Sequence, residues 1–189
     1  MFSFNWSSSQ PVTGHLPQSR TGATLTTLAN SQGGCSYVLY GGHANCRLND
    51  VHTLVEGPNG TWIWKLPDIK GHAPKPTLGH SACVIKKQGR SYLLVYGGQN
   101  GKRQCEAISH VLDLETFKWK RLYISHVPPA RCHASFCHGP QGSNCVFMFG
   151  GRSSPEGLRF NDLWCLDYSN CDVEDKSQVS STSISSGSQ

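Results

Sequence analysis

Three ordered copies of one multi-part pattern run along most of the 189-residue chain. An internal period of this kind constrains the fold more than any other feature of a sequence. A diglycine follows an apolar run at Gly41-Gly42, Gly97-Gly98 and Gly150-Gly151, and the first glycines are 56 and then 53 residues apart. One diglycine would be an accident, but three at nearly constant spacing predict three copies of one structural unit.

Other markers keep their order around each diglycine. Proline-led segments precede each diglycine and apolar-polar segments follow it. In the first two units tryptophans come about 20 residues later, and the third unit lacks this closing tryptophan. The segments before are 17–22, 74–80 and 129–133, those after are 48–52, 108–112 and 160–164, and the tryptophans are Trp62, Trp64 and Trp119.

Each unit divides into four short strands separated by turn residues. In the second unit we predict strands at 79–85, 91–97, 107–114 and 117–123. The inner strands are nearly continuous apolar runs, which is typical of strands covered on both faces. A single four-stranded sheet cannot bury both faces, so each unit must stack on the next. The sequence therefore predicts an all-β fold of stacked sheets.

The glycines, tryptophans and tyrosines of the pattern are explained by architecture. Two glycines let the backbone turn where a Cβ would collide with a neighbouring strand. The late tryptophan supplies a large apolar area between adjacent sheets.

These residues resemble the kelch repeat, with an Arg-x-Gly-His-like start, a diglycine, Asn-Asp-Val or Asn-Asp-Leu, and then Trp. The resemblance implies a partial kelch-type β-propeller of about three four-stranded blades. The expected divisions are 1–16 (an N-terminal segment with a blade-closing strand around Trp6), 17–70, 71–125 and 126–172 (repeats 1 to 3, the third without its final strand), and 173–189 (a disordered Ser-rich tail).

The repeats also depart from the family pattern. The second unit has Thr77 where the motif has arginine and lacks the Asn-Asp pair, and the third has Cys132-His133 at the glycine position. Propellers need four to eight blades, so about three leave blade faces open. We expect a shortened product of a longer gene, a fragment, or a half that completes itself by oligomerising, and the abrupt Ser-rich tail favours the first.

Charge and cysteine content set the expected environment. The net charge is +5, no apolar run is long enough for a membrane span, and the N-terminus lacks a secretory pattern. The nine cysteines are therefore expected as reduced thiols, in the cytoplasm or nucleus, with no structural metal because no C-x-x-C pair occurs. The basic residues between Lys86 and Arg121 favour a solvated polar rim over a nucleic-acid groove.

The sequence contains none of three common catalytic motifs. G-x-S-x-G, H-E-x-x-H and the Walker glycine loop do not occur. Some kelch-like propellers are copper-radical oxidases or iron-dependent specifier proteins, but neither ligand set is present. We therefore expect no enzyme and no cofactor, with a metal-dependent enzyme as the alternative from another class.

The resemblance favours a noncatalytic protein-interaction module or adaptor. In ubiquitin-ligase substrate receptors of this family, the motif arginine engages carboxylates of a peptide, which a guanidinium reads with two hydrogen bonds. Arg20 and Arg131 match that position, and a turn-side hydrogen bond or stack is their equally weighted alternative. Loop residues offer further candidates, because loops on a rigid scaffold carry recognition: Asn45, Arg47, Asn100, Lys102 and Arg152. An actin or cytoskeletal scaffold is the alternative binding role.

Overall fold

The computed structural model describes residues 12–29, 35–140, 142–170, 178–179 and 181–184. Their strands form three sheets that do not close into a barrel, and within these residues there is no α-helix. The all-β prediction and the partial propeller are thereby confirmed. No helix of the described part is long and apolar enough to cross a membrane.

The first sheet contains the first diglycine at the end of its longest hairpin. Its strands are β1 (Val12–Gly14), β2 (Thr24–Ala29), β3 (Cys35–His43), β4 (Arg47–Glu56) and β5 (Trp62–Lys65), in the spatial order β1-β5-β4-β3-β2. β2 to β5 form an antiparallel meander, and β1 adds to its edge in parallel with β5. A 3-10 turn at Pro58–Gly60 joins β4 to β5. The predicted strand around Trp6 lies outside the described residues.

The second sheet repeats this meander. Its strands are β6 (Lys70–Gly71), β7 (Ser81–Lys87), β8 (Arg90–Tyr96), β9 (Ser109–Asp113) and β10 (Lys118–Ile124). β7 to β10 are antiparallel neighbours in chain order, and β6 pairs in parallel with β10. Each strand from β7 to β10 begins and ends within two residues of its predicted bounds.

The third sheet differs from the prediction at its outer edge. Its strands are β11 (Ser135–His138), β12 (Cys145–Phe149), β13 (Leu163–Asp167) and β15 (Ser181–Ile184), while β14 (Gln178–Val179) pairs in parallel with β10 of the second sheet. β15 pairs antiparallel with β13 and occupies the fourth-strand position. The third repeat was expected to lack this strand and the tail to be disordered; residues 173–177, 180 and 185–189 of that tail lie outside the described residues. Pairing needs only backbone groups, so an open sheet edge accepts a Ser-rich segment that has no strand pattern.

The middle sheet is buried on both faces. Leu93 and Leu112 point to the first sheet and join Val38, Tyr40 and Val51 in one core cluster. On the opposite face, side chains such as Leu94 and Val111 join residues of the third sheet in a second cluster. This alternation follows the two-residue period of a strand. It explains why the apolar runs of the second unit are continuous.

Truncating a side chain between sheets should destabilise the fold strongly. Leu94 is 1% exposed, so we expect Leu94→Ala to lower the free energy of unfolding by about 2–5 kcal/mol. Leu158 lies in a loop at 63% exposure, and Leu158→Ala should change it by less than about 0.5 kcal/mol. Urea unfolding followed by tryptophan fluorescence measures both variants. Equal effects would show that the second and third sheets do not share a core.

Candidate protein-interaction surface

Each diglycine lies at the end of the second strand of its unit, inside β3 in the first unit and directly after β8 and β12 in the other two. At Gly97 and Gly98 the φ angles are +67° and +98°, a region that favours glycine. A Cβ at Gly97 would lie 2.5 Å from the carbonyl oxygen of Arg131, which accepts a hydrogen bond from the Gly98 amide at 2.9 Å. The second glycine pair therefore fixes the contact between its own unit and the start of the next.

A buried arginine clamps the same turn in the third unit. Arg131 donates two hydrogen bonds to the carboxylate of Asp162, at 2.6 and 2.7 Å, and a third to the carbonyl of Gly150 at 2.8 Å. The guanidinium also stacks over the Phe160 ring, 4.0 Å from its centroid. Its side chain is 0% exposed, so the charge is fully enclosed by this set of partners.

The first unit has the same clamp. Arg20 donates to both carboxylate oxygens of Asp50, at 2.7 and 2.9 Å, and to the carbonyl of Gly41 at 3.0 Å. His52 also lies 3.0 Å from the Asp50 carboxylate. In both units the arginine ties the carbonyl of the first glycine of the diglycine to an aspartate, which lies within β4 in the first unit and directly before β13 in the third.

The second unit lacks both members of the clamp. Thr77 stands at the arginine position, and Ile108 stands where the other units have Asp50 and Asp162. A buried charge left without its partner is costly, so the paired loss has a physical reason. The simultaneous loss of the arginine and the aspartate in the second unit is visible in the sequence, and it is the signal that could have identified the two clamps.

The clamp geometry bears directly on the predicted anchors. Both guanidinium groups are engaged inside the chain, which is the turn-side role that the sequence left open. A carboxylate of a partner would have to displace Asp50 or Asp162. That Arg20 or Arg131 binds a partner stays a prediction.

The clamps hold their carboxylates ionised. Partial burial raises the pKa of Asp50, but the hydrogen bonds and charges of Arg20 and His52 outweigh it and bring the pKa below its ordinary value. For Asp162, the hydrogen bonds from Arg131 are the main cause of a lowered pKa.

A histidine fills the junction between the first and second units. His80 is 4% exposed, its Nε2 lies 3.1 Å from Thr24 Oγ1, and its ring meets Tyr40 edge-on at 4.7 Å. Burial lowers the pKa of His80 to about 4. The neutral ring is thus an architectural contact, as expected for most histidines of this sequence.

The loops that follow the three diglycines are joined to one another. Arg47 of the first unit donates to the backbone and side-chain oxygens of Gln99, at 3.0 and 2.9 Å. Gln99 of the second unit in turn donates to Ser154 Oγ of the third, at 2.7 Å. The Cys105 amide donates to the Ser154 carbonyl at 3.3 Å. One polar chain of contacts therefore spans all three units on the diglycine side.

The five predicted loop residues lie on this surface, which we call the loop face (residues 43–47, 99–106 and 150–162). Arg47 and Asn100 are half-buried and organise it, since the Asn100 side chain accepts hydrogen bonds from the amides of Lys102 and Gln104. Asn45, Lys102 and Arg152 are exposed. The structure brings these residues together, and it adds Gln99 and Ser154, which the sequence did not single out.

The loop face carries more positive than negative charge. Its cations are Arg47, Lys102, Arg103, Arg152 and Arg159, and its acids are Glu106, Glu156 and the clamped Asp162. Burial and then the charge of Arg152 lower the pKa of His133 beside it. Such a surface favours negatively charged partners. Among the described residues, no group of three or more His, Cys, Asp or Glu side chains is placed to hold a metal ion.

Comparisons with known proteins agree on one family. The family model described as the KLHDC2/KLHL20/DRC7 Kelch-repeats domain matches residues 58–186. An adagio-like protein 1 of Oryza sativa subsp. japonica is 32% identical over 81% of this chain and 23% of its own length. Host cell factor of Drosophila melanogaster is 26% identical over 79% of this chain and 10% of its own. The chain thus spans less than a quarter of either relative.

A solved structure shows the same fold. The chain is similar to one in a cryo-EM structure of RAG in complex with one melted and one unmelted RSS, with a TM-score of 0.65 and 17% identity. The match covers 96% of this chain and 54% of the other. At this identity the likeness concerns the fold alone.

Removing the charge of one clamp should destabilise the fold. Asp162→Asn leaves the buried Arg131 charge without a carboxylate, and we expect a loss of about 2 kcal/mol in the free energy of unfolding at pH 7, since Asp162 itself is partly exposed. Asp68→Asn is the matched control, because Asp68 is 87% exposed and 3.8 Å from Lys70. Urea unfolding measures both. A loss no larger than that of the control would disprove the structural role of the clamp.

Stability should also fall with acid because of His80. Its pKa is lowered in the folded state, so the unfolded chain binds the extra proton once the pH drops below about 6.5 and stability is lost toward pH 4. We expect a loss of roughly 1 kcal/mol per pH unit in that window, and a smaller slope in His80→Gln. Unfolding free energies at pH 7, 6 and 5 test this. Equal slopes for the two proteins would contradict it.

Proposed function

Because the chain belongs to the kelch-repeat domain family, we propose that it is a noncatalytic protein-interaction module whose loop face binds a partner with acidic or carboxylate groups. The observation that carries the proposal is the hydrogen-bonded chain Arg47–Gln99–Ser154, which holds the loops of three units in one surface. A surface organised before binding loses less conformational entropy on association. Substrate recognition for a ubiquitin ligase is the role we propose for it, in the cytoplasm or nucleus.

The exposed cations of the loop face suit that partner. Lys102 and Arg152 are exposed and come from the second and third units, so an extended acidic segment could contact both while lying across the unit boundary. Arg152 can present a planar guanidinium to a carboxylate, whereas Lys102 offers a point charge. We assign contact to these two side chains, and organisation of the loops to Arg47 and Asn100.

The proposal also includes a partner for the outer faces of the first and third sheets, which no other sheet of the described residues covers. The outer faces of the first and third sheets carry apolar side chains such as Leu25 and Phe149, 57% and 53% exposed. Large contiguous apolar patches on a protein surface mark interaction sites. We propose that further blades or a second copy of the chain cover them in the working protein.

Charge reversal on the loop face should remove the partner. We expect Lys102→Glu/Arg152→Glu to weaken binding of an acidic partner by at least about tenfold, since like charges then face each other. Lys75→Glu/Lys118→Glu is the matched control, because both lysines are exposed and lie outside the loop face. Quantitative pull-downs with the wild type and both variants identify the proteins that are lost only from the loop variant. Titration of the wild type and the variants with an acidic peptide taken from each of those proteins then measures the affinity.

Two outcomes of that experiment would contradict the proposal. One is an identical set of captured proteins for the wild type and the loop variant. The other is equal loss in both variants, which would indicate a nonspecific effect of net charge. Weakening of the loop-face interaction with rising salt is a further expectation, since the contacts are exposed.

A further inference from the structure

Equivalent residues of the three units lie on equivalent faces of their sheets, so the two covered junctions show what an uncovered face would contact. The residue before each diglycine is Tyr40, Tyr96 and Phe149. Tyr40 packs toward the second sheet, 5.2 Å from the ring of Trp119, and Tyr96 packs toward the third, 6.4 Å from the ring of Phe136. Phe149 occupies the same position on the outer face of the third sheet, where it is 53% exposed.

The outer face of the first sheet corresponds to the face of the second sheet that the first sheet covers. In the second sheet Leu93, Leu112 and Trp119 are at most 1% exposed because the first sheet covers them. By register their counterparts in the first sheet are Tyr37, Leu54 and Trp64, which are all half-buried.

These two faces are the two halves of an interface that the chain already forms twice. The third sheet shows the side that a following sheet covers, and the first sheet shows the side that a preceding sheet covers. Among the described residues no sheet lies against either one. A second copy of the chain supplies both missing halves together.

We propose that two copies of this chain associate head to tail, with the outer face of the third sheet of each copy against the outer face of the first sheet of the other, to close a ring of six sheets. Six sheets lie within the four to eight of known propellers. Unlike faces that pair in this way form a ring when the rotation closes.

The junctions between the first and second sheets and between the second and third sheets indicate which residues should meet. Phe136, on which Tyr96 stacks, corresponds by register to Leu25 of the first sheet. Phe149 of one copy should therefore contact Leu25 of the other.

Backbone contacts repeat in the same way. The Gly79 amide donates to the Gly22 carbonyl at 3.4 Å, and the His133 amide donates to the Gly79 carbonyl at 2.6 Å. Ser81 Oγ donates to the carbonyl of Ala134 at 2.7 Å. The closing junction should add a bond from the Gly22 amide to the His133 carbonyl, and one from Ser135 Oγ to the Ala23 carbonyl, each across copies.

Sedimentation equilibrium of the purified full chain tests the pairing. We expect a mass of twice the 20.7 kDa of one chain at tens of micromolar, with no larger species. Phe149→Glu alone and Leu25→Lys alone should each raise the dissociation constant of the dimer by at least about tenfold. In either variant, each of the two junctions carries a charged side chain where the native junction has an apolar one. Because both positions are exposed, circular dichroism should show each variant still folded.

A mixture of the two variants distinguishes head-to-tail pairing from other dimers. In a mixed pair, one junction is native, and the other brings the two substituted positions together with opposite charges, so the mass should return to that of a dimer. Leu158→Glu is the control, since Leu158 is 63% exposed in the loop between β12 and β13 and belongs to no strand of either outer face, and it should leave the dimer unchanged.

Three results would overturn the proposal. A monomer at about 100 μM would show that the faces do not pair with a second copy. A dimer insensitive to Leu25→Lys, or not restored by mixing, would show pairing of identical faces. A mass that rises continuously with concentration would show an open array that does not close.

Discussion

A sheet with two apolar faces is stable only when both are covered, and that requirement organises the whole molecule. The middle sheet meets it completely, because Leu93 and Leu94, neighbours in one strand, enter different cores on opposite sides. The first and third sheets meet it on one side each. Stability, the continuous apolar strands and the two open faces are therefore consequences of one stacking interaction, which is repeated along the chain with the period of the sequence.

Stacking fixes the faces of the sheets, and the clamps fix their ends. Arg131 and Arg20 each tie the carbonyl of a diglycine to an aspartate that lies in the next strand or directly before it. The loops leave the sheet between these two points, so their starting positions are set by buried charges rather than by the loop sequences. Loop residues can then vary while the scaffold holds them in register, which is the arrangement that a recognition surface requires.

Much of this fold could be predicted from the sequence because its period, turns and apolar runs all indicate the same strands. The bounds of β7 and β8 follow from the turn at Gly89 and the glycines at 97 and 98. The clamps could not be predicted singly, since Arg131 and Asp162 are far apart in sequence and only the joint change to Thr77 and Ile108 connects them. β15 gave no signal, because its pairing with β13 relies on backbone groups. Gln99 was not predicted because its role depends on loops from two other units.

The direction of stacking also connects assembly with recognition. Head-to-tail pairing continues the order of sheets around the ring, so it keeps every diglycine turn, and hence both loop faces, on the same side. A pairing of two identical faces through a twofold axis would either turn one loop face to the opposite side or bring the inner edge of one copy beside the outer edge of the other. Head-to-tail pairing both keeps the inner edges together and doubles the number of basic loops that one side of the assembly presents to a partner. A partner with two acidic segments would then bind with an affinity raised by the effective concentration of the second site, so the geometry that covers the open sheets would also strengthen recognition.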